Sequence, residues 1–265
     1  GYSRDFCIDP PSMDVHLYRN RNKWDIASHP MNESTFAGSL ANEEMGVPGV
    51  SPYLAFGKTY GKMTGMPVGL IQTSLGGSPM ERWNPEDGDL YLNMVDKIHE
   101  TGGRYAGVLW YQGCSDTNPG PAEKYLEHFR EYVEATRKEL GYEVPFFTMQ
   151  LNRQINGIND ECWGMVRDAQ ARAAKEIPGV SVLTTSNLSL CDGIHNTAQA
   201  NVALGEKLAK QCAHVLNGKE EYQPPELVKV ERADEAERKS FQLEGSGIWL
   251  KLTCDHVKNC FLVYS

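Results

Sequence analysis

Between Pro52 and Gly218 the chain alternates two textures, short continuous apolar runs and longer segments whose apolar residues recur every three or four positions. The runs are 67–73 (PVGLIQT), 105–111 (YAGVLWY), 145–151 (PFFTMQL) and 180–185 (VSVLTT). They have strand length, and their continuity suits strands buried on both faces. Helical spacing covers 53–64, despite two glycines, then 89–101, 119–140, 160–176 and 197–216. The clearest case opens on prolines and Glu123 and carries Tyr125, Phe129, Tyr132, Val133 and Leu140 as a stripe, with charges between. The charges from Glu123 to Lys138 read as its solvated face. The last helix aligns Leu204, Leu208, Cys212 and Val215 and stops at Asn217-Gly218. Strict β/α alternation predicts a parallel sheet covered by helices on both faces, a three-layer α/β/α domain.

The flanks differ. Residues 1–52 are irregular, with a short strand at 15–18, a turn at Lys23-Trp24-Asp25 and a Gly/Asn/Ser/Pro-rich loop over 31–51. A loop of that length in a compact domain is usually functional or disordered. Beyond Gly218, residues 220–225 read as a linker, and 226–265 as several short strands with no helix between them. The expected organisation is an α/β domain over 1–218, followed over 219–265 by a linker and the start of a β-rich module. The chain opens on Gly-Tyr-Ser and stops in a strand-like run, which reads as part of a longer polypeptide lacking the domain's first strand.

Composition narrows this little. Hydrophobic residues make up 40% and aromatics 9% of the 265 positions, ordinary for a protein with a full core. A net charge of −9 and the lack of a basic run argue against nucleic acid as a partner. No apolar run has membrane-spanning length, and no signal-peptide pattern occurs. The seven cysteines are scattered without C-x-x-C spacing, as buried or free thiols are. His16, His29, His99, His128, His214 and His256 share no metal-ligand spacing and read as surface or structural.

The candidate chemistry lies where the runs end. In an open parallel sheet, ligands sit outside the carboxyl ends of the strands. There the chain places Gly76-Gly77-Ser78, Gln112-Gly113-Cys114-Ser115-Asp116, Asn152, and Asp192-Gly193-Ile194-His195. A carboxylate three residues before a histidine, with glycine between, can fold back to orient the imidazole as a base; a surface turn opening a helix is the plainer reading. Backbone N–H groups at Gly76 or Gly77 and the Gln112 amide could stabilise an oxyanion, although a glycine pair alone is usually a turn. Ser74 lies outside any G-x-S-x-G elbow, because Gln72 takes the first glycine's place. Trp83 and Trp110 suit either a sugar face or the core. Arg82 could meet a substrate carboxylate or simply be solvated. Cys114 could be a nucleophile for His195, but a small buried residue is the commoner role.

Val68-Gly69-Leu70-Ile71, Gly76-Gly77-Ser78, Glu81-Arg82-Trp83, Val108 to Asp116 (VLWYQGCSD) and Asp192-Gly193-Ile194-His195 together resemble the SGNH-hydrolase carbohydrate esterases. The resemblance runs from about Val15 to Gly218, is closest to the sialate O-acetylesterase and acetylxylan esterase type, and has the W-Y-Q-G block as its most distinctive piece. It implies a flavodoxin-like α/β/α fold and a Ser-His-Asp mechanism acting on an acetylated carbohydrate, with no metal or organic cofactor. Asp192 and His195 would be acid and base, Gly76 or Gly77 and Gln112 the oxyanion donors, and Cys114 and Trp83 substrate-lining residues. Cys114 departs from the family's usual glutamate.

The resemblance also implies a serine in a G-Q-S-N-M block, which these residues lack. The nucleophile is then expected upstream of Gly1, with Ser3 as the alternative. A catalytically dead, carbohydrate-binding relative is the competing class, and an ester of a non-sugar alcohol the competing substrate. The family suggests a secreted or periplasmic protein. The oligomeric state and the choice between sialate and xylan stay open.

Overall fold

Strands and helices alternate along the chain as β1 (Val15–Arg19), β2 (Lys23–Ile26), α1 (Tyr53–Thr64), β3 (Val68–Ile71), α2 (Asp89–Thr101), β4 (Val108–Trp110), α3 (Pro121–Leu140), β5 (Phe146–Met149), α4 (Asp160–Glu176), β6 (Val180–Leu183) and α5 (Ala198–Asn217). This computed structural model describes residues 4–19, 22–32, 48–218, 226–232, 234–236 and 250–255. Gly1 to Ser3 and most of the expected 31–51 loop lie outside the described residues. Two compact units form, Gly1–Asn217 and Gly218–Ser265. In the second, β7 (Glu226–Arg232) and β8 (Leu250–Asp255) pair antiparallel.

The α/β class and the parallel sheet are as expected, with three local differences. Lys23 to Ile26 is a strand rather than a turn, antiparallel to β1. The turn falls earlier, at Asn22, whose φ is 55° and whose N–H donates to Arg19 O at 3.0 Å. The run at 105–111 keeps only Val108–Trp110 as strand. The Tyr142 hydroxyl accepts the Tyr105 N–H at 2.7 Å and donates to its carbonyl at 3.1 Å, so a side chain satisfies that backbone before the ladder starts. The sheet is also split, with order β2-β1-β3 in one ladder and β4-β5-β6 in the other. β1–β3, β4–β5 and β5–β6 are parallel.

β5 is the centre, with all four residues buried. Strand alternation sends Phe146 to one apolar cluster and Phe147 and Met149 to another. The first cluster gathers α2, α3 and α4 around Trp83, Trp110, Tyr132 and Phe129; the second gathers α1 and α5 around Phe56, Leu204 and Leu208. Helices therefore cover opposite faces. In α3, Pro121 opens the first turn, the Glu123 carboxylate takes the Gly120 N–H, and Gly141 closes the helix through its N–H to Arg137 O at 2.9 Å. α1 and α5 touch at Gly205, where a Cβ would come 2.0 Å from Pro52 O. Glycine costs roughly 1 kcal/mol in a helix interior, and here it lets the two backbones meet.

Candidate active site

β6 ends at Leu183, and the chain then makes a tight turn before α5. Leu190 and Asn196 form an antiparallel bridge, and Cys191 N–H donates to His195 O at 2.8 Å. Inside this turn Asp192 Oδ1 accepts the N–H groups of Ile194 (2.8 Å) and His195 (2.6 Å). Its other oxygen lies 2.7 Å from His195 Nδ1. Burial pushes the Asp192 carboxyl up, but the two N–H groups and the imidazole outweigh it and hold the carboxyl below its ordinary value. An ionised Asp192 keeps the proton of a neutral imidazole on Nδ1 and leaves Nε2 as the basic nitrogen. The side chains are 44% and 30% exposed, so the pair is reachable from solvent.

An amide network anchors the turn. Buried Asn196 accepts from Asn152 Nδ2 at 2.7 Å and donates to Tyr111 Oη (3.2 Å) and Asn201 Oδ1 (3.1 Å). Asn201 donates to Val50 O at 2.8 Å, and Asn152 O accepts from Trp163 Nε1 at 2.8 Å. The dyad is thus referenced to the ends of β4 and β5, to α4 and to α5. Asn152 stood out in the sequence only as a polar strand end. Asn196 and Asn201 were missed, since a polar residue near a helix start carries no signal of burial.

The oxyanion candidates lie in the turns after β3 and β4. Gly76 and Gly77 are exposed, Gly77 has φ 71°, and neither N–H has an acceptor among the described residues. Gln112 Nε2 donates to Ser78 O (2.9 Å) and Asp116 Oδ2 (2.5 Å). Both protons of that amide are therefore engaged. Asp116, 3% exposed, also accepts Met80 N–H at 3.0 Å. Burial raises its carboxyl above the usual value against the pull of those donors. These bonds tie the β3 turn to the β4 turn.

Other candidates fall elsewhere. Trp83 is 3% exposed, crosses Trp110 edge-on at 5.1 Å and donates its indole N–H to Ser78 Oγ at 3.1 Å. It belongs to the core and offers a sugar no open face, and Trp110, at 5%, is likewise core. Arg82 is paired with Asp89 through two hydrogen bonds, of 3.0 and 2.5 Å. Cys114 is partly buried, and burial pushes its thiol up to about 11, so it is protonated near neutral pH. His29 is buried against Asp9 at 2.9 Å. No helix among the described residues is long and apolar enough to cross a membrane.

Comparison with known proteins bears on the family and the fold. Residues 5–214 match the family described as carbohydrate esterase, sialic acid-specific acetylesterase. An Arabidopsis thaliana protein named "Probable carbohydrate esterase" is 27% identical over 197 residues, covering 71% of this chain and 70% of its own. The solved structure of that Arabidopsis protein superposes with a TM-score of 0.68 at 25% identity, covering 78% of this chain and 83% of the other. A carbohydrate acetylesterase from Xanthomonas citri gives 0.64 at 22% identity, with 83% of this chain and 53% of that one covered. NanS gives 0.63 at 12% identity over 80% and 90%, which speaks for the fold alone.

Proposed function

Because the chain belongs to the sialic acid-specific acetylesterase family of carbohydrate esterases, we propose that it removes acetyl groups from sugar hydroxyls, of the sialate or xylan type, by a Ser-His-Asp mechanism. The observation that carries this reading is the 2.7 Å contact between Asp192 Oδ2 and His195 Nδ1 at the carboxyl end of the sheet. A serine hydroxyl attacks the acetyl carbonyl while His195 Nε2 takes its proton, and Asp192 stabilises the imidazolium that forms. The Gly76 and Gly77 N–H groups face the developing oxyanion. Gln112 joins them on exchanging its bond to Ser78 or Asp116, and otherwise holds the two turns together. His195 then returns the proton to the departing sugar hydroxyl and activates the water that releases acetate.

The test is acetate release from 9-O-acetylated sialic acid, acetylated xylan and p-nitrophenyl acetate. It uses the product of the complete reading frame and its His195→Ala variant. Release that depends on His195 supports the reading, and equal rates for both proteins overturn it. Sugar binding without release would favour a non-catalytic carbohydrate binder.

A further inference from the structure

The loop between β5 and α4, residues 153–159, borders the dyad. Ile155 N–H donates to Gly193 O at 3.0 Å, which ties the start of the loop to the turn that carries Asp192 and His195. Asn159 Nδ2 donates to Asn118 Oδ1 at 3.0 Å, which ties its end to the connection between β4 and α3. The loop therefore runs as a wall from the His195 turn to the segment after β4.

Its own residues hold it closed. The Gln154 amide reaches across to donate to Ile158 O at 2.8 Å and to Asp160 Oδ1 at 2.5 Å. Gly157 and Asn159 have φ of 63° and 54°, left-handed conformations that glycine and asparagine adopt most readily. Asn156 fills the space over Gly193. Turn chemistry thus accounts for Gln154, Asn156, Gly157 and Asn159, but not for two isoleucine side chains. Branching at Cβ suits isoleucine to strands rather than to turns. Ile155 and Ile158 are 68% and 65% exposed, and neither joins an apolar cluster among the described residues. One exposed aliphatic residue is ordinary. Two on one clasped loop tip, bonded to the turn of a reactive pair, give an otherwise polar rim the apolar face that ligand sites use.

Chemistry says which part of a substrate meets that face. The acyl carbon and its oxygen lie toward the turns after β3 and β4, which carry the oxyanion donors. The leaving oxygen takes its proton from His195, so the alcohol extends beside the His195 turn, where the loop is bonded. We infer that Ile155 and Ile158 form a subsite for the alcohol portion of the ester, holding an apolar face such as one C–H side of a pyranose ring. The inference rests on the esterase reading and adds to it which half of the substrate this loop selects.

Kinetics on the product of the complete reading frame test it. Ethyl acetate and cyclohexyl acetate differ only in the alcohol, and p-nitrophenyl acetate and butyrate only in the acyl group. The Ile155→Thr/Ile158→Thr double variant keeps the branching at Cβ and removes apolar surface at two exposed positions, so the fold is retained. KM for cyclohexyl acetate should rise about tenfold, the order expected for losing a methylene or two at an apolar contact. The kcat values, KM for ethyl acetate and the butyrate-to-acetate ratio should stay close to wild type. An unchanged KM for cyclohexyl acetate, as a face covered by another part of the chain or by a second copy gives, overturns the inference. A change confined to the butyrate-to-acetate ratio also overturns it. Binding of cyclohexyl glucoside, which has no ester, is read by calorimetry on the same two proteins. Binding that the double variant weakens, without acetate release from any ester, keeps the subsite and overturns the esterase reading. Acetate release with equal KM values and equal glucoside binding in both proteins does the reverse.

Discussion

A Cβ on Gly193 would lie 1.7 Å from the Oδ1 of Asn156, so the Asn156 amide fills the volume that any larger residue at 193 needs. Ile155 N–H also donates to Gly193 O at 3.0 Å, and Asn159 Nδ2 to Asn118 Oδ1 at 3.0 Å. The loop between β5 and α4 thereby braces the dyad's turn from outside. Gly193→Ala should displace Asp192 from His195 and lower kcat/KM for acetate release at least tenfold, because misplacement of about 1 Å costs up to about 100-fold. Adding Asn156→Gly should recover part of that loss. A double variant no better than the single one would show that the steric relation is not the cause.

His195→Ala should reduce acetate release by roughly 100- to 10,000-fold, the usual range for a general base. Because the dyad is partly exposed, the melting temperature should stay within a few degrees of wild type. A large drop in melting temperature would point to a structural role instead.

Acid stability should depend on Asp9. Its side chain and that of His29 are each 1% exposed and lie 2.9 Å apart, and Lys58 also reaches the carboxylate. Burial pushes the Asp9 carboxyl up, but the bonds from His29 and Lys58 outweigh it and hold it below the usual value. A carboxyl lowered on folding contributes stability above its unfolded value of about 3.9, and that contribution disappears as pH falls through the folded value. Asp9→Asn should cost about 3–5 kcal/mol at neutral pH, as breaking a buried pair does, and should flatten the acid limb of stability against pH. Thermal melts from pH 3 to 7 measure both effects. An unchanged acid limb would remove Asp9 from the account.

Trp83→Ala should act on stability rather than on sugar affinity. Removing a buried tryptophan costs about 3–5 kcal/mol, readable by denaturant titration. A raised KM with unchanged stability would instead return the ring to the substrate.

Cys114→Ala should keep acetate release within a few-fold of wild type, since a thiol pushed up to about 11 supplies almost no thiolate near neutral pH. Abolished turnover that Cys114→Ser fails to restore would make the thiol a participant.

The sequence was most legible where periodicity is long. α3 and α4 appear within a residue or two of their expected bounds: α3 has an apolar stripe, a proline start and a glycine stop, and α4 ends just before Pro178-Gly179. It was less legible at β2 and β4, where a side chain or a neighbouring strand decides whether a short run joins a ladder. Asp192 and His195 could be paired from the sequence only with the family resemblance beside them, because the spacing alone suits a plain surface turn equally well. The engagement of Gln112 with Ser78 and Asp116 could not be read from it, since it depends on two turns separated by α2 meeting at the rim. Trp83 sat beside a motif and suited either a sugar face or the core; its burial follows from the packing of α3 across β4.

The frame around the dyad is pH-silent. Asn152, Asn196 and Asn201 carry no ionisable group, and burial pushes the Tyr111 hydroxyl up to about 12. None of these supports changes charge across the range in which an imidazole titrates. The amide frame therefore adds no ionisation of its own to the bell of rate against pH, and Asp116, raised by burial, is the scaffold group whose titration can enter the acid limb.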